Sequence, residues 1–173
     1  MSNPPFNTPH LYTLSADALP LSGFTLLKLM QAVLAKDVPF RFRAKGGSMA
    51  PFIHDGDLIT VTPFQNKPPG IGEVLAFIHP DIKKLVIHRA VAKCDSGLWI
   101  QGDSVDVTSN GVVPLKNLLG RVTCIERGSH RVWLGLGLER FFIAWLSRLG
   151  LLIPVNQWLL HCRQFFTRRM ELI

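Results

Sequence analysis

Charge is scarce in this chain. Of its 173 residues only 18% are Asp, Glu, Lys or Arg, where a soluble domain usually carries about a quarter. Together with 47% hydrophobic residues and a mean hydropathy of +0.23, this excludes a disordered or collagen-like chain and implies an apolar stretch of surface. Cysteine is scarcer. Cys94, Cys124 and Cys162 stand far apart and outside any CxxC or CxxH spacing, which argues against a disulfide framework or zinc knuckle and leaves thiols that stay reduced. The glycines at 46, 47, 70 and 72 lack the lysine or the strand-turn-helix setting of a Walker loop or dinucleotide fingerprint. His54, His79, His130 and His161 show no metal-ligand spacing, so neither a metal nor a cofactor is expected. Residues 1–20 contain no basic-then-apolar run, so neither a cleavable secretory signal nor an N-terminal membrane anchor is expected there.

What charge there is lies unevenly. The net charge is +7, and six arginines against two glutamates fall between Arg131 and Ile173. A nucleic-acid binder spreads Lys and Arg over a groove-facing element of its folded domain. Basic residues set in an apolar tail instead favour an anionic membrane surface, so nucleic acid is not the expected partner.

Three segments follow from the patterning. Residues 1–21, rich in Pro, Asn and Ser, read as an irregular leader. In 22–134, Ser22 can cap a helix from Gly23 to about Lys36 with Leu26, Leu29, Met30 and Val33 on one stripe. From Phe40 the period changes to two, with Phe40, Phe42 and Ala44 alternating with Arg41, Arg43 and Lys45. Further strand-like runs at Leu58–Thr62, Glu73–His79, Leu85–Ala92, Leu98–Gln101, Leu119–Glu126 and Arg131–Leu134 are divided by Asp-Gly, Pro-Pro-Gly, Ser-Gly and Asn-Gly turn signals. With no βαβ rhythm, the expected fold is mainly β, a coiled antiparallel sheet.

The third segment, 135–173, reads as an amphipathic helical hairpin. Leu138, Phe141, Phe142, Trp145, Leu146 and Leu149 form one stripe, and Val155, Trp158, Leu159, Cys162 and Phe166 a second. Residues 141–160 are long enough to span a bilayer, but Arg148, Pro154, Asn156 and Gln157 fall among them, and a charge near a helix centre costs about 2.5–3.5 kcal/mol there. Two readings stay open: helices lying in a membrane interface, or helices folded back over the β domain.

The chemistry-bearing segment is Gly46-Gly47-Ser48-Met49-Ala50-Pro51, followed by Asp55-Gly56-Asp57. A serine after two glycines can sit on a tight turn whose N–H groups face a substrate oxygen, as acyl transfer requires. Downstream come Gly72-Glu73-Val74, Val86-Ile87-His88-Arg89-Ala90-Val91, Gln101-Gly102-Asp103-Ser104 and Gly120-Arg121-Val122. This ordered set resembles the signal peptidase and LexA-type superfamily of serine peptidases, over about Phe42 to Glu126. The match of Ile87-His88-Arg89-Ala90-Val91 is closest to the histidine-type branch, found in the endoplasmic reticulum and in archaea.

The resemblance implies a signal-peptidase-type coiled β domain and a serine endopeptidase acting on peptides or precursor proteins near a membrane. It implies Ser48 as nucleophile and His88 as general base, since neutral imidazole can take the hydroxyl proton near neutral pH. Lys84, an even number of residues from His88, leaves a Ser/Lys dyad open. Asp103 or Asp106 would orient the imidazole; the position of the histidine-type branch's own aspartate falls in Val107-Thr108-Ser109-Asn110, where there is none, so a plain dyad is also open. Those peptidases often have serine two residues before the nucleophile, where Gly46 stands here. The oxyanion hole would then rest on main-chain donors around Gly46, Gly47 and Ser48, with Met49 and Pro51 walling the cleft.

Two other functions fit part of the pattern: a catalytically weak or inactive peptide-binding module of the same fold, and a LexA-type self-cleaving regulator. The second lacks an evident helix-turn-helix or Ala-Gly cleavage dipeptide before Phe42. The expected location is the cytoplasm or the cytoplasmic face of a membrane, held peripherally or anchored by the C-terminal segment.

Overall fold

The computed structural model describes residues 23–104, 111–133 and 135–148. The expected Ser22 cap, Asp106 and the second tail helix lie outside these residues. In chain order the elements are α1 (Gly23–Leu34), β1 (Phe40–Arg43), β2 (Leu58–Thr62), β3 (Val74–Ile78), β4 (Leu85–Cys94), β5 (Gly97–Gln101), β6 (Gly111–Val113), β7 (Leu118–Arg127), β8 (His130–Val132) and α2 (Arg140–Arg148), with a 3₁₀ turn at Leu115–Asn117. The mainly β, antiparallel architecture expected from the alternation is present. Eight strands form one sheet in the order β1-β2-β7-β3-β4-β5-β6, and every described pairing is antiparallel. The sheet is open, with β1 and β6 at its ends. β7 carries β2 along one edge and, on the other, β3 at its start and β8 at its end. Bulges at Thr60/Val61, Ala76/Phe77 and Ala90/Ala92 bend the strands and increase their twist.

Because successive strand residues face opposite ways, the sheet serves two cores. Phe40, Phe42, Ile59, Val61, Val74, Ala76, Val122 and Ile125 build the first, closed by Met30 and Leu34 of α1. Leu75, Phe77, Ala90, Leu98, Ile100 and Val113 build the second. The stripe expected on α1 is rotated slightly. Leu27, Met30 and Leu34 are its buried residues, while Leu26, Leu29 and Val33 pack at the margin. β6 was not anticipated, since three residues are too few to show a period of two.

α2 turns a different face inward. Its buried positions are Ile143, Ala144 and Ser147, whereas Phe141, Phe142 and Trp145 of the apolar stripe are exposed. Ile143 packs with Phe52 and Leu146, so the helix does lie against the β domain, but with its smaller side chains. Gly72 makes room for this approach: its φ is +84°, and a Cβ there would come within 2.9 Å of the Arg140 backbone. Among the described residues no helix is long and apolar enough to cross a membrane.

Candidate active site

Ser48 lies in the loop between β1 and β2. The loop is closed at its base by Ala44 N–H to Asp57 O (2.8 Å) and Gly56 N–H to Ala44 O (2.9 Å). Asp55 accepts from Gly46 N–H at 2.8 Å, and Asp57 accepts from His54 N–H at 2.8 Å. Arg127 grips Asp57 at 2.8 and 2.9 Å and reaches the Phe52 carbonyl at 3.2 Å. Inside this frame a turn carries Ala50 N–H to Gly47 O, and both Phe52 and Ile53 N–H to Met49 O. Met49 and Ile53 enter the first core. Buried apolar anchors and satisfied main-chain groups thus fix the loop on both sides of Ser48, which stays half-buried. Gly46, with φ +91°, adopts a backbone conformation that a side chain disfavours. Pro51 follows a cis peptide bond in the same turn.

The loop is tied to the sheet at Ser48 itself. Ser104 N–H donates to the Ser48 carbonyl at 3.0 Å, three residues beyond Gln101, which is paired with Arg89 of β4. This bond ties the Ser48 loop to the exit of β5, the strand whose Gln101 pairs with Arg89 of β4.

His88 and Arg89 then diverge. His88 pairs with Leu75, is 1% exposed and sets its ring edge-on to Phe77 at 6.1 Å, on the side of the second core. Its Nδ1 is buried without a hydrogen-bond partner. Burial, and then the nearby charge of His79, hold its pKa down at about 4 from 6.5. At neutral pH the imidazole is uncharged, with a lone pair free to accept a proton.

Arg89 points the other way. Its guanidinium takes both oxygens of Asp103 (2.8–3.2 Å), donates at 2.9 Å to the carbonyls of Gly72 and Gly135, and lies over the Phe52 ring at 5.3 Å. Asp103 is thus bound by Arg89 rather than by His88. Among the described residues no hydrogen bond joins His88 to Asp103 or to Ser48. Catalytic hydrogen bonds are often long in a free enzyme and tighten only with substrate.

Three features of the site went unread in the sequence: the Arg89 hub, the Arg127–Asp57 clamp and Phe52 beneath Arg89. The signal for the first was available, because adjacent residues of a strand face opposite ways and a buried arginine requires a carboxylate. A cavity of about 210 Å³ lies elsewhere, between Glu73, Arg121 and Arg140, and none of the expected site residues lines it. The chain matches no protein-family model and no curated protein.

Proposed function

We propose that the protein is a serine endopeptidase of the signal-peptidase type, with Ser48 as nucleophile and His88 as general base. The observation that carries this reading is the tie of the Ser48 carbonyl to Ser104 N–H, which fixes a glycine-flanked serine at the exit of β5, while the neighbouring strand β4 carries a buried, neutral histidine. In the reaction Ser48 Oγ attacks the scissile carbonyl carbon as the imidazole takes its proton, and the carbonyl oxygen becomes an oxyanion. Main-chain N–H groups around Ser48 supply its donors. The imidazolium then gives its proton to the departing amine, and water attacking the acyl-serine repeats the sequence to release the acid. With Asp103 engaged by Arg89, the pair works as a dyad.

A fluorophosphonate probe tests this directly, since it labels only an activated serine. Labelling of the wild-type protein that disappears in Ser48→Ala and falls sharply in His88→Ala supports the assignment. Equal labelling of wild type and Ser48→Ala would overturn it.

One observation favours a second reading, a peptide-binding module with little or no catalysis. His88 has no orienting partner at Nδ1, and its low pKa makes it a weak base. In that case the probe labels nothing while the protein still binds an extended precursor peptide.

A further inference from the structure

α2 is packed the wrong way round for a helix in water. Its inward positions are Ile143, Ala144 and Ser147, and the Ser147 hydroxyl is buried with no hydrogen-bond partner. Its large apolar side chains face outward. Phe141 is 50% exposed, Phe142 60% and Trp145 55%, and Leu138, just before the helix, is 86% exposed. Positions 138, 141, 142 and 145 follow helical spacing and share one face, and Phe142 and Trp145 stack at 5.9 Å. Burying the small residues and exposing the aromatic ones is the reverse of what the hydrophobic effect selects unless the outer face meets an apolar phase.

The charges on this segment point to the kind of phase. The Arg140 guanidinium lies 4.9 Å from the centre of the Phe141 ring, and that of Arg131 lies 4.3 Å from the Trp133 ring; Trp133 is 69% exposed. Arg140 is also paired with Glu73 at 3.6 Å, so exposed Arg131 beside Trp133 is the cation placed to reach a headgroup phosphate while the Trp133 ring enters the apolar layer. The six arginines against two glutamates between Arg131 and Ile173 add attraction to a negative surface. A hydrophobic partner protein has no need of that excess.

We propose that the outer face of α2, formed by Leu138, Phe141, Phe142 and Trp145, is a docking surface for an anionic lipid bilayer. The helix lies in the headgroup plane without crossing it. Ile143 packs on Phe52 of the Ser48 loop, and Gly135, just ahead of the helix, accepts from Arg89. A bilayer held by α2 is therefore coupled mechanically to the loop that carries Ser48. The docking itself does not depend on the peptidase reading.

The test is sedimentation of the full chain with vesicles of phosphatidylcholine alone or with about 30 mol% phosphatidylglycerol. Wild type is expected to pellet with the anionic vesicles, and the bound fraction to fall as salt is raised. Phe142→Ser with Trp145→Ser, or Leu138→Ser with Phe141→Ser, is expected to weaken binding about tenfold or more with the fold retained, since each side chain is at least half exposed and lies outside the cores. Ser48→Ala should pellet like wild type, which separates this inference from the catalytic one. Equal pelleting of wild type and both double variants would overturn the proposal. So would wild-type protein that stays in solution with both vesicles; its molecular mass would then show whether a second copy covers the face.

Discussion

Arg89 holds Asp103 through both carboxylate oxygens, at 2.8–3.2 Å, with neither side chain reaching solvent. The same guanidinium bonds the carbonyls of Gly72 and Gly135 and covers Phe52. One residue thereby joins β4, the exit of β5, the turn before β3, the approach to α2 and the Ser48 loop. Its neighbour His88 faces the opposite side of the sheet, so the hub and the proposed base are adjacent in sequence and separate in space.

Removing one member of this pair should be costly. Asp103→Asn leaves a buried guanidinium without its counter-charge and is expected to destabilise the fold by about 3–5 kcal/mol, measured by chemical denaturation. The acid limb of the kcat/KM profile should stay where it is in the fraction that remains folded. A displaced limb would instead make Asp103 the group that orients His88.

The burial of His88 sets an acid limit on both activity and stability. Activity governed by kcat/KM in the free enzyme should persist at pH 5 and fall only near pH 4, since that profile reports the free base. Folding favours the neutral imidazole, so the unfolded chain takes up a proton near pH 6.5 and the folded chain only near 4. Stability should be full above 6.5 and decline as pH falls between these values, by about 3 kcal/mol at most. His88→Gln should flatten that decline in a urea titration run at several pH values.

Asp57 adds a second acid-sensitive group at lower pH. Burial pushes its carboxyl up, but the Arg127 hydrogen bonds, the His54 N–H and the charges of Arg127 and His54 outweigh this, and the net shift is downward from 3.8. Stability from this clamp is present above 3.8 and is lost as pH falls through the lowered value. Asp57→Asn should loosen the Ser48 loop, seen as faster amide exchange at Ala50, Phe52 and Ile53, with β4 and β5 unaffected.

The two loop glycines should respond differently. Gly46→Ala forces a side chain onto a residue at φ +91° and should cost about 1–2 kcal/mol, together with any activity that depends on the turn. Gly47 does not adopt a positive φ, and a Cβ there meets nothing within 4 Å. Gly47→Ala should therefore leave the melting temperature within about 2 °C of wild type.

Catalysis by Ser48 and His88 makes a quantitative demand. Loss of either member of a working nucleophile and base pair costs roughly 10⁴-fold or more in kcat. Ser48→Ala should show that loss on a cleavable precursor peptide with an unchanged melting temperature. Any smaller effect would assign cleavage to another residue or to a contaminant.

The local pattern was enough to specify most strands. Leu58–Thr62 matches β2 end to end, and the alternation from Phe40 places Phe40 and Phe42 in the core with Arg43 outside, because a period of two is written residue by residue. The same reasoning separates His88 from Arg89. Which strands become neighbours was not legible: β7 lies between β2 and β3, and such pairing depends on contacts across more than forty residues of chain, not on any local signal. Nor was the partner of Asp103 legible, since a carboxylate in a turn reads the same whether it meets an imidazole or a guanidinium. The inward face of α2 departs from its own hydrophobic pattern: Ile143 packs on Phe52, Ala144 is buried and Arg140 closes on Gly72, contacts between distant parts of the chain that the helix's own apolar stripe does not encode. Residue order thus carries periodicity, turn chemistry and the ordered boxes around Ser48 and His88. Tertiary packing alone determines which buried charges meet and which apolar face is left outward.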